Sequence, residues 1–307
     1  MKGIVIKSTG SWYTVMGEDG KTYNCRIKGK FRLKDIKSTN PVAVGDKVEF
    51  SPEDHETGVI SEIEKRKNYI IRKSINLSKQ SHIIAANIDQ AFLVATLVFP
   101  RTSTGFIDRF LVTAEAYNIP TIILFNKTDL MDEGLLVLQR EMKAIYEKVG
   151  YTCYEISALN KADLEFIKVL MKDKTNLFSG HSGVGKSTLI NSLEPGLNLK
   201  TGIISQTHSK GMHTTTFAEM HPLSFGGFII DTPGIKELGL IHIQKEELSH
   251  FFPEMRDRMH LCHFKNCRHV SEPKCAIKEA VENGEIPESR YYSYLSIFNS
   301  EELEEVY

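Results

Sequence analysis

The chain lacks net charge, lacks a long apolar run and has too few cysteines for a disulfide framework, and each shortage closes off a class of protein. With 38 Lys+Arg against 39 Asp+Glu, the formal net charge is −1. Whole-chain electrostatics therefore select neither a polyanionic nor a polycationic partner. The longest apolar run, around Ala91 to Phe99, is too short to span a bilayer. The N-terminus, Met1-Lys2-Gly3-Ile4-Val5-Ile6-Lys7, has no signal-type apolar region. A cytoplasmic protein with no membrane contact is expected. Five cysteines are an odd number, and three of them, Cys262, Cys267 and Cys275, crowd into 14 residues. In a chain without a signal peptide this spacing favours a metal over disulfides. No internal repeat or low-complexity segment interrupts the chain.

What is present fits an ordinary folded protein. The 307 residues leave room for two domains or three small ones, and 41% apolar content suffices for unstapled cores. Charge is unevenly placed. Lys21, Arg26, Lys28, Lys30, Arg32, Lys34 and Lys37 face a single anion, Asp35, whereas Glu301, Glu302, Glu304 and Glu305 close an acidic tail. A local polyanion site is one reading of the basic run, and a solvated face the other.

Residues 1 to about 70 read as five short strands: Val5-Ile6, Tyr13–Met16, Tyr23–Ile27, Lys47–Phe50 and Val59–Ile63. Turn signals at Glu18-Asp19-Gly20, Asn40-Pro41, Val44-Gly45-Asp46 and Glu56-Thr57-Gly58 separate them. Five strands in this length fit a closed barrel of the oligonucleotide-binding (OB) type or a generic small β-domain. From Ile71 the rhythm becomes strand–helix alternation. Strands are expected over 91–98, 121–125, 152–156 and 176–178, and helices over 105–117, 135–149 and 162–171. This predicts an α/β domain with a mostly parallel sheet. The last 60 residues or so are helix-like around a Cys/His cluster. Domain boundaries are expected at 1–70, 71–240 and 241–307.

Chemistry concentrates in a few short stretches. Gly180-His181-Ser182-Gly183-Val184-Gly185-Lys186-Ser187 lies between strand-like Phe178-Ser179 and helical Thr188-Leu189-Ile190. Gly-x4-Gly-Lys-Ser in that setting is a phosphate-binding loop. Glycines let successive N–H groups point at a β-phosphate, and the helix start adds a positive end. Lys186 is placed to reach the β- and γ-phosphates and Ser187 to bind Mg²⁺.

The strand at 121–125 ends in Asn126-Lys127-Thr128-Asp129. A buried Asp129 carboxylate could accept from guanine N1–H and its amine and would reject adenine, which offers a lone pair instead. The Lys127 stem can lie on the base and Asn126 can brace the phosphate loop. Ser157-Ala158, after the next strand, resembles the element that bonds guanine O6. Phe228-Ile229-Ile230-Asp231-Thr232-Pro233-Gly234 is a strand entering Asp-x-x-Gly, with Asp231 suited to Mg²⁺ through water and Gly234 to sensing the γ-phosphate. A switch threonine, Thr214 or Thr215, would complete the Mg²⁺ shell.

In Ras-like GTPases the phosphate loop comes before the base reader. Here the order is rotated, so the same sheet requires a circularly permuted chain, and the second switch leads directly into the C-terminal segment. After Asp-x-x-Gly, Ile235 stands where a water-orienting glutamine is usual. His213 is the internal candidate for that role, with packing or RNA contact as its alternative.

Cys262, Cys267, His269 and Cys275 make a four-ligand set for a closed, structural Zn²⁺ site, with His260 and His263 competing for the fourth place. Cys25 and Cys153 fall in strands and read as core thiols.

The combination resembles the bacterial ribosome small-subunit-dependent GTPase A family over essentially the whole chain. Met212 departs from the arginine expected in the Gly-x-His-Thr-Thr-Thr stretch. The resemblance implies an OB-fold N-domain, a permuted GTPase and a helical zinc domain. It also implies GTP contacts at Asn126–Asp129 and Gly180–Thr188, and one Zn²⁺ on Cys262, Cys267, His269 and Cys275. The implied activity is subunit-stimulated hydrolysis of GTP to GDP and phosphate, with Mg²⁺, by a monomer that binds the small ribosomal subunit and its rRNA late in assembly. A GTP-dependent switch for a protein partner is the competing reading. A P-loop ATPase or kinase is disfavoured by Asn126-Lys127-Thr128-Asp129.

Overall fold

The computed structural model describes residues 1–28, 41–73, 81–198, 218–231 and 243–300. His213, Thr214, Thr215, Gly234 and Ile235 lie outside these residues, as do Lys30, Arg32 and Lys34 of the basic run. The chain divides into two compact units.

The first unit comprises residues 1–91, 164–179 and 187–237. Its N-terminal part is five strands: β1 (Lys2–Ser8), β2 (Tyr13–Gly17), β3 (Thr22–Ile27), β4 (Lys47–Pro52) and β5 (Thr57–Ile63). They pair in the order β1-β2-β3-β5-β4, and β4 returns to β1, which closes the barrel. Each strand sends alternate residues inward, so Val5, Tyr13, Val15, Tyr23, Cys25, Val48, Phe50 and Ile60 form one buried core. Cys25 is thus a core thiol, and burial raises its pKa to about 11.

A hairpin follows, β6 (Tyr69–Lys73) and β7 (Ser81–Ala86), which strand patterning did not reveal. It is fixed to the barrel by the Val44-Gly45-Asp46 turn. A Cβ on Gly45, at φ +87°, would sit 2.1 Å from the Ala86 carbonyl oxygen. Only glycine permits that approach. Asp46 is fully buried and receives Arg66 through Nε at 2.7 Å and Nη2 at 2.6 Å. This unit also carries α3 (Lys161–Met171), from Leu164 onward, and β11 (Thr175–Ser179) parallel to β13 (Phe228–Asp231). Strand β12 (Glu219–Pro222) pairs antiparallel with both β13 and β1.

The second unit comprises residues 92–163, 180–186 and 238–307. It contains most of β8 (Gln90–Ala95), then α1 (Thr104–Ala116), β9 (Thr121–Phe125), α2 (Glu133–Lys148) and β10 (Thr152–Glu155). Strands β9 and β10 are parallel. Every residue of β8 is buried, the continuous pattern of a strand covered on both faces. The expected strand over 91–98 stops at Ala95. Beyond it the Thr96 N–H donates to the Thr102 hydroxyl at 3.0 Å and the Thr102 N–H to Thr96 O at 2.8 Å, which turns the chain off the sheet. Ser103 then caps α1 by accepting from Phe106 N, and Asp132 caps α2 by accepting from Leu135 N at 2.9 Å. Lys186, directly after the phosphate loop, begins α4 (Lys186–Leu193), whose remaining residues belong to the first unit.

The C-terminal part is short helical turns plus α5 (Pro253–Arg256), α6 (Ala276–Glu282) and α7 (Glu288–Phe298). Its core, with Leu248, Phe252, Met255, Ile277, Tyr294 and Ile297, also takes in Val112 of α1. At this junction Arg290 of α7 is fully buried, as is Asp108 of α1, bonded at 2.6 Å. Arg290 Nε also bonds Glu254 of α5 at 2.7 Å. Burial opposes the charge on Arg290, but Asp108 and Glu254 outweigh it and raise its pKa. The Phe252 ring lies 4.7 Å below the guanidinium. Among the described residues no helix is long and apolar enough to cross a membrane.

Removing one member of such a cluster leaves the others as uncompensated buried charge. Arg290→Met should destabilise the protein by about 3–5 kcal/mol, read as a lowered urea midpoint. An unchanged midpoint would show that the cluster does not hold α7 to α1.

Candidate functional site

The phosphate loop, residues 180–185, is shaped by what presses on it. Gly180 has φ +143°, and a Cβ there would lie 2.2 Å from Val94 O. Gly185 has φ +96°, and its Cβ would lie 2.4 Å from Asn126 Nδ2. Both positions are closed to side chains by backbone angle and by space. Lys186 Nζ folds back onto the loop, donating to Gly180 O and to His181 O at 2.9 Å. The His181 ring stacks on Phe106 of α1, centroids 3.6 Å apart. Burial, then the Lys186 charge, lowers the His181 pKa.

The Asn-Lys-Thr-Asp stretch, which precedes the loop in sequence, meets it in space. Asn126 is buried at the end of β9. Its Nδ2 donates to Val184 O at 2.9 Å, and its Oδ1 accepts from Ala158 N at 3.0 Å. Lys127 sits at φ +71° and sends Nζ to Gly183 O at 2.7 Å and to Phe99 O. Asp129 accepts from the Ser157 hydroxyl at 2.6 Å. Thr128 begins a single 3-10 turn with Asp129 and Leu130.

Two details differ from the sequence expectation. The Asp129 residue is exposed rather than buried, because it stands on that turn beyond the strand end. The Ala158 N–H, expected to face guanine O6, is engaged by Asn126. Sequence reasoning also missed Asp163, whose Oδ2 accepts from Ser157 N at 2.8 Å. Its signal was available: Asn160 accepts from Ala162 N at 2.8 Å, so Asn160-x-x-Asp163 is a helix start placed directly after Ser157-Ala158. Phe106 gave no signal beyond its helical periodicity. Ser187 and Thr188 lie in the first turn of α4. Asp231 ends β13, and its side chain lies outside the described part.

The second site lies between the short turn at Met259–Leu261 and α6. Cys262, Cys267, His269 and Cys275 bring one ligand atom each to within 4.8 Å of one another. Cys262 Sγ is 3.6 Å from His269 Nδ1 and 4.0 Å from Cys275 Sγ, and His269 Nδ1 is 3.4 Å from Cys275 Sγ. A tetrahedron with Zn–S bonds of about 2.3 Å has edges of about 3.8 Å, so the set fits one zinc. Burial pushes the Cys267 thiol up to about 12 and raises that of Cys275, and the backbone N–H of His269 at Cys267 and those of Lys278 and Ile277 at Cys275 act against it. Burial lowers the His269 pKa and keeps the imidazole neutral, the form that ligates. His269 takes the fourth place for which His260 and His263 competed. Four protein ligands leave no open position, so the role is structural. The carbonyls of Arg268 and His269 accept from Tyr294 OH at 2.6 Å and Tyr291 OH at 2.7 Å, which ties the ligand loop to α7.

Elemental analysis should find about one zinc per chain. Cys267→Ser should speed amide hydrogen exchange over residues 262–275 and α7 while nucleotide binding persists. A metal-free preparation with wild-type exchange protection would contradict a structural zinc.

Comparison with known proteins places these features together. Residues 63–241 match the RsgA GTPase family, and residues 2–60 match the RsgA N-terminal domain. The small ribosomal subunit biogenesis GTPase RsgA of Christiangramia forsetii is 57% identical, over 98% of this chain and 97% of that protein. Its counterpart from Bacteroides fragilis is 56% identical over the same shares. YjeQ from Thermotoga maritima superimposes with a TM-score of 0.80 at 40% identity, covering 97% of this chain and 96% of its own. YloQ, described as a circularly permuted GTPase, does so at 0.76 and 34%, covering 97% and 93%. An OB-like barrel, a GTPase fold in permuted order and a helical segment with a four-ligand metal set run through one chain, which belongs to the RsgA GTPase family.

Proposed function

We propose that this protein hydrolyses GTP on the small ribosomal subunit during its late maturation, and that the subunit stimulates the hydrolysis. The observation that carries the reading is the Asn126 amide, which joins the base-reading and phosphate loops through Ala158 N and Val184 O. The relatives named small ribosomal subunit biogenesis GTPases supply the partner. We assign residues 1–70 to rRNA contact, 71–240 to the nucleotide and 241–307 to the zinc-stabilised helical domain. The protein works as a cytoplasmic monomer.

In this reading the N–H groups of Gly180–Gly185 surround the phosphates and Lys186 neutralises charge across the β- and γ-oxygens. Ser187 and either Thr214 or Thr215 would hold Mg²⁺, Asp231 would act on it through water, and Gly234 would sense the γ-phosphate. When bound, Mg²⁺ would supply charge neutralisation at the phosphates. Thr188 flanks the phosphates, and Asp129 reads the guanine edge. Because Asp129 is exposed, the base itself must cover the carboxylate to desolvate it. The Lys127 stem flanks the base, and guanine O6 competes with Asn126 for the Ala158 N–H beside Ser157. Asp129→Asn should shift preference from guanosine to xanthosine nucleotides, whose base carries oxygen in place of the amine. Unchanged guanine preference in a nucleotide competition assay would remove Asp129 from base recognition.

Water attack needs an orienting group, and Ile235 cannot provide one. His213 is our candidate, since an imidazole nitrogen can accept a hydrogen bond from water and orient it. Sedimentation with purified small subunits should show stronger binding in a non-hydrolysable GTP analogue than in GDP. His213→Ala should keep that binding and lose most subunit-stimulated turnover. Nucleotide-independent sedimentation would sink the ribosomal switch, and undiminished turnover would exclude His213.

A further inference from the structure

The loop that holds the phosphates is built largely of glycine, and its two sizeable side chains are His181 and Val184. Val184 is fully buried and acts as an ordinary anchor. His181 is different. Its ring lies against Phe106 of α1 with centroids 3.6 Å apart and planes inclined by 29°. Its carbonyl accepts from Lys186 Nζ at 2.9 Å. One residue therefore ties the lysine ammonium to a helix outside the loop.

We propose that His181 is a positioning residue for hydrolysis: its stack on Phe106 fixes the peptide whose carbonyl aims Lys186. The inference rests on the GTPase reading and adds a side chain to it, since a phosphate loop ordinarily uses that position only through its backbone. A Gly-rich segment has many accessible conformations, so the carbonyl at 181 stays in place only if something outside the loop restrains it. The Asn126 and Lys127 bonds restrain the far side, at Val184 and Gly183. The ring pair restrains the near side. It borders a cleft of about 620 Å³ lined also by Arg109, Tyr292 and Ser296, so it is not wedged in the core. Removing a ring should leave the fold intact and loosen the lysine.

An ammonium aimed at the β- and γ-oxygens counts most when charge redistributes there in the transition state, so the loss should appear in kcat more than in KM. The test measures kcat, KM and the unfolding temperature for His181→Ala, His181→Phe, Phe106→Ala and the double alanine variant, with Lys186→Ala as reference. Each single alanine change should lower kcat about tenfold, equivalent to about 1.36 kcal/mol, with KM and unfolding temperature nearly unchanged. His181→Phe keeps the stack and should stay within about twofold of the wild type. The double variant should be no worse than either single, because both remove the same contact. Lys186→Ala should be inactive. Wild-type kcat in His181→Ala beside an inactive Lys186→Ala would overturn the positioning role and spare the GTPase reading. So would multiplying losses, or a phenylalanine variant as slow as the alanine. Normal turnover by Lys186→Ala would overturn both.

Discussion

The proposed nucleotide site depends on one buried amide. Asn126 presents a donor to a carbonyl in the phosphate loop and an acceptor to an N–H in the 157–158 turn. Those partners fix which end of the amide is oxygen. An aspartate of the same shape would set carboxylate oxygen against Val184 O, acceptor facing acceptor, in a place without water. Leaving such a group unsatisfied costs about 1–3 kcal/mol, more when it is charged. The same amide explains Gly185, whose Cβ would fall 2.4 Å from Asn126 Nδ2. Residues that look like two separate signatures in the sequence are complementary surfaces of one contact.

A contact of this kind is indifferent to chain order, which is why the permutation costs the site nothing. What permutation changes is the neighbour. The segment after β13 continues into the C-terminal helices, and these meet α1 through Arg290 and Asp108. Helix α1 also carries Phe106, the partner of His181. Phe106 and Asp108 are two residues apart, about 200° around a helix, so one element can present a ring to the phosphate loop and a carboxylate to α7. In the second unit the zinc-bearing region and the phosphate loop therefore share a helix.

The sequence was most legible where chemistry is local. Gly180–Ser187, Asn126–Asp129 and the Cys/His spacing each declare themselves within a few residues, and the barrel strands follow from period-two burial. Strand β9 and the end of α3 fall where patterning put them, because a parallel strand and an amphipathic helix carry their own signals. What escaped notice depends on distance along the chain. Arg290 and Asp108 are 182 residues apart, and nothing around either marks it as buried. The β6–β7 hairpin is short and next to a segment rich in polar residues. The expected burial of Asp129 assumed that a base-reading carboxylate is desolvated in advance. Its place on a 3-10 turn past the strand end leaves it in water instead.

The metal set connects to this arrangement through α7. Tyr291 and Tyr294 donate to the carbonyls of His269 and Arg268, and Arg290 is the residue just before Tyr291 on the same helix. Two tyrosine hydroxyls can find those carbonyls only if the ligand loop is closed, with His269 held at φ +59°. A loop this short, with left-handed residues at 269 and 274, has little apolar surface of its own to enforce that conformation. Ligation supplies the constraint that burial cannot. The two tyrosines and Arg290 lie on one helix, so the bonds to the ligand loop and the ion pairs to Asp108 and Glu254 are made by the same element. The ligand loop and the buried ion cluster are therefore joined through a single helix.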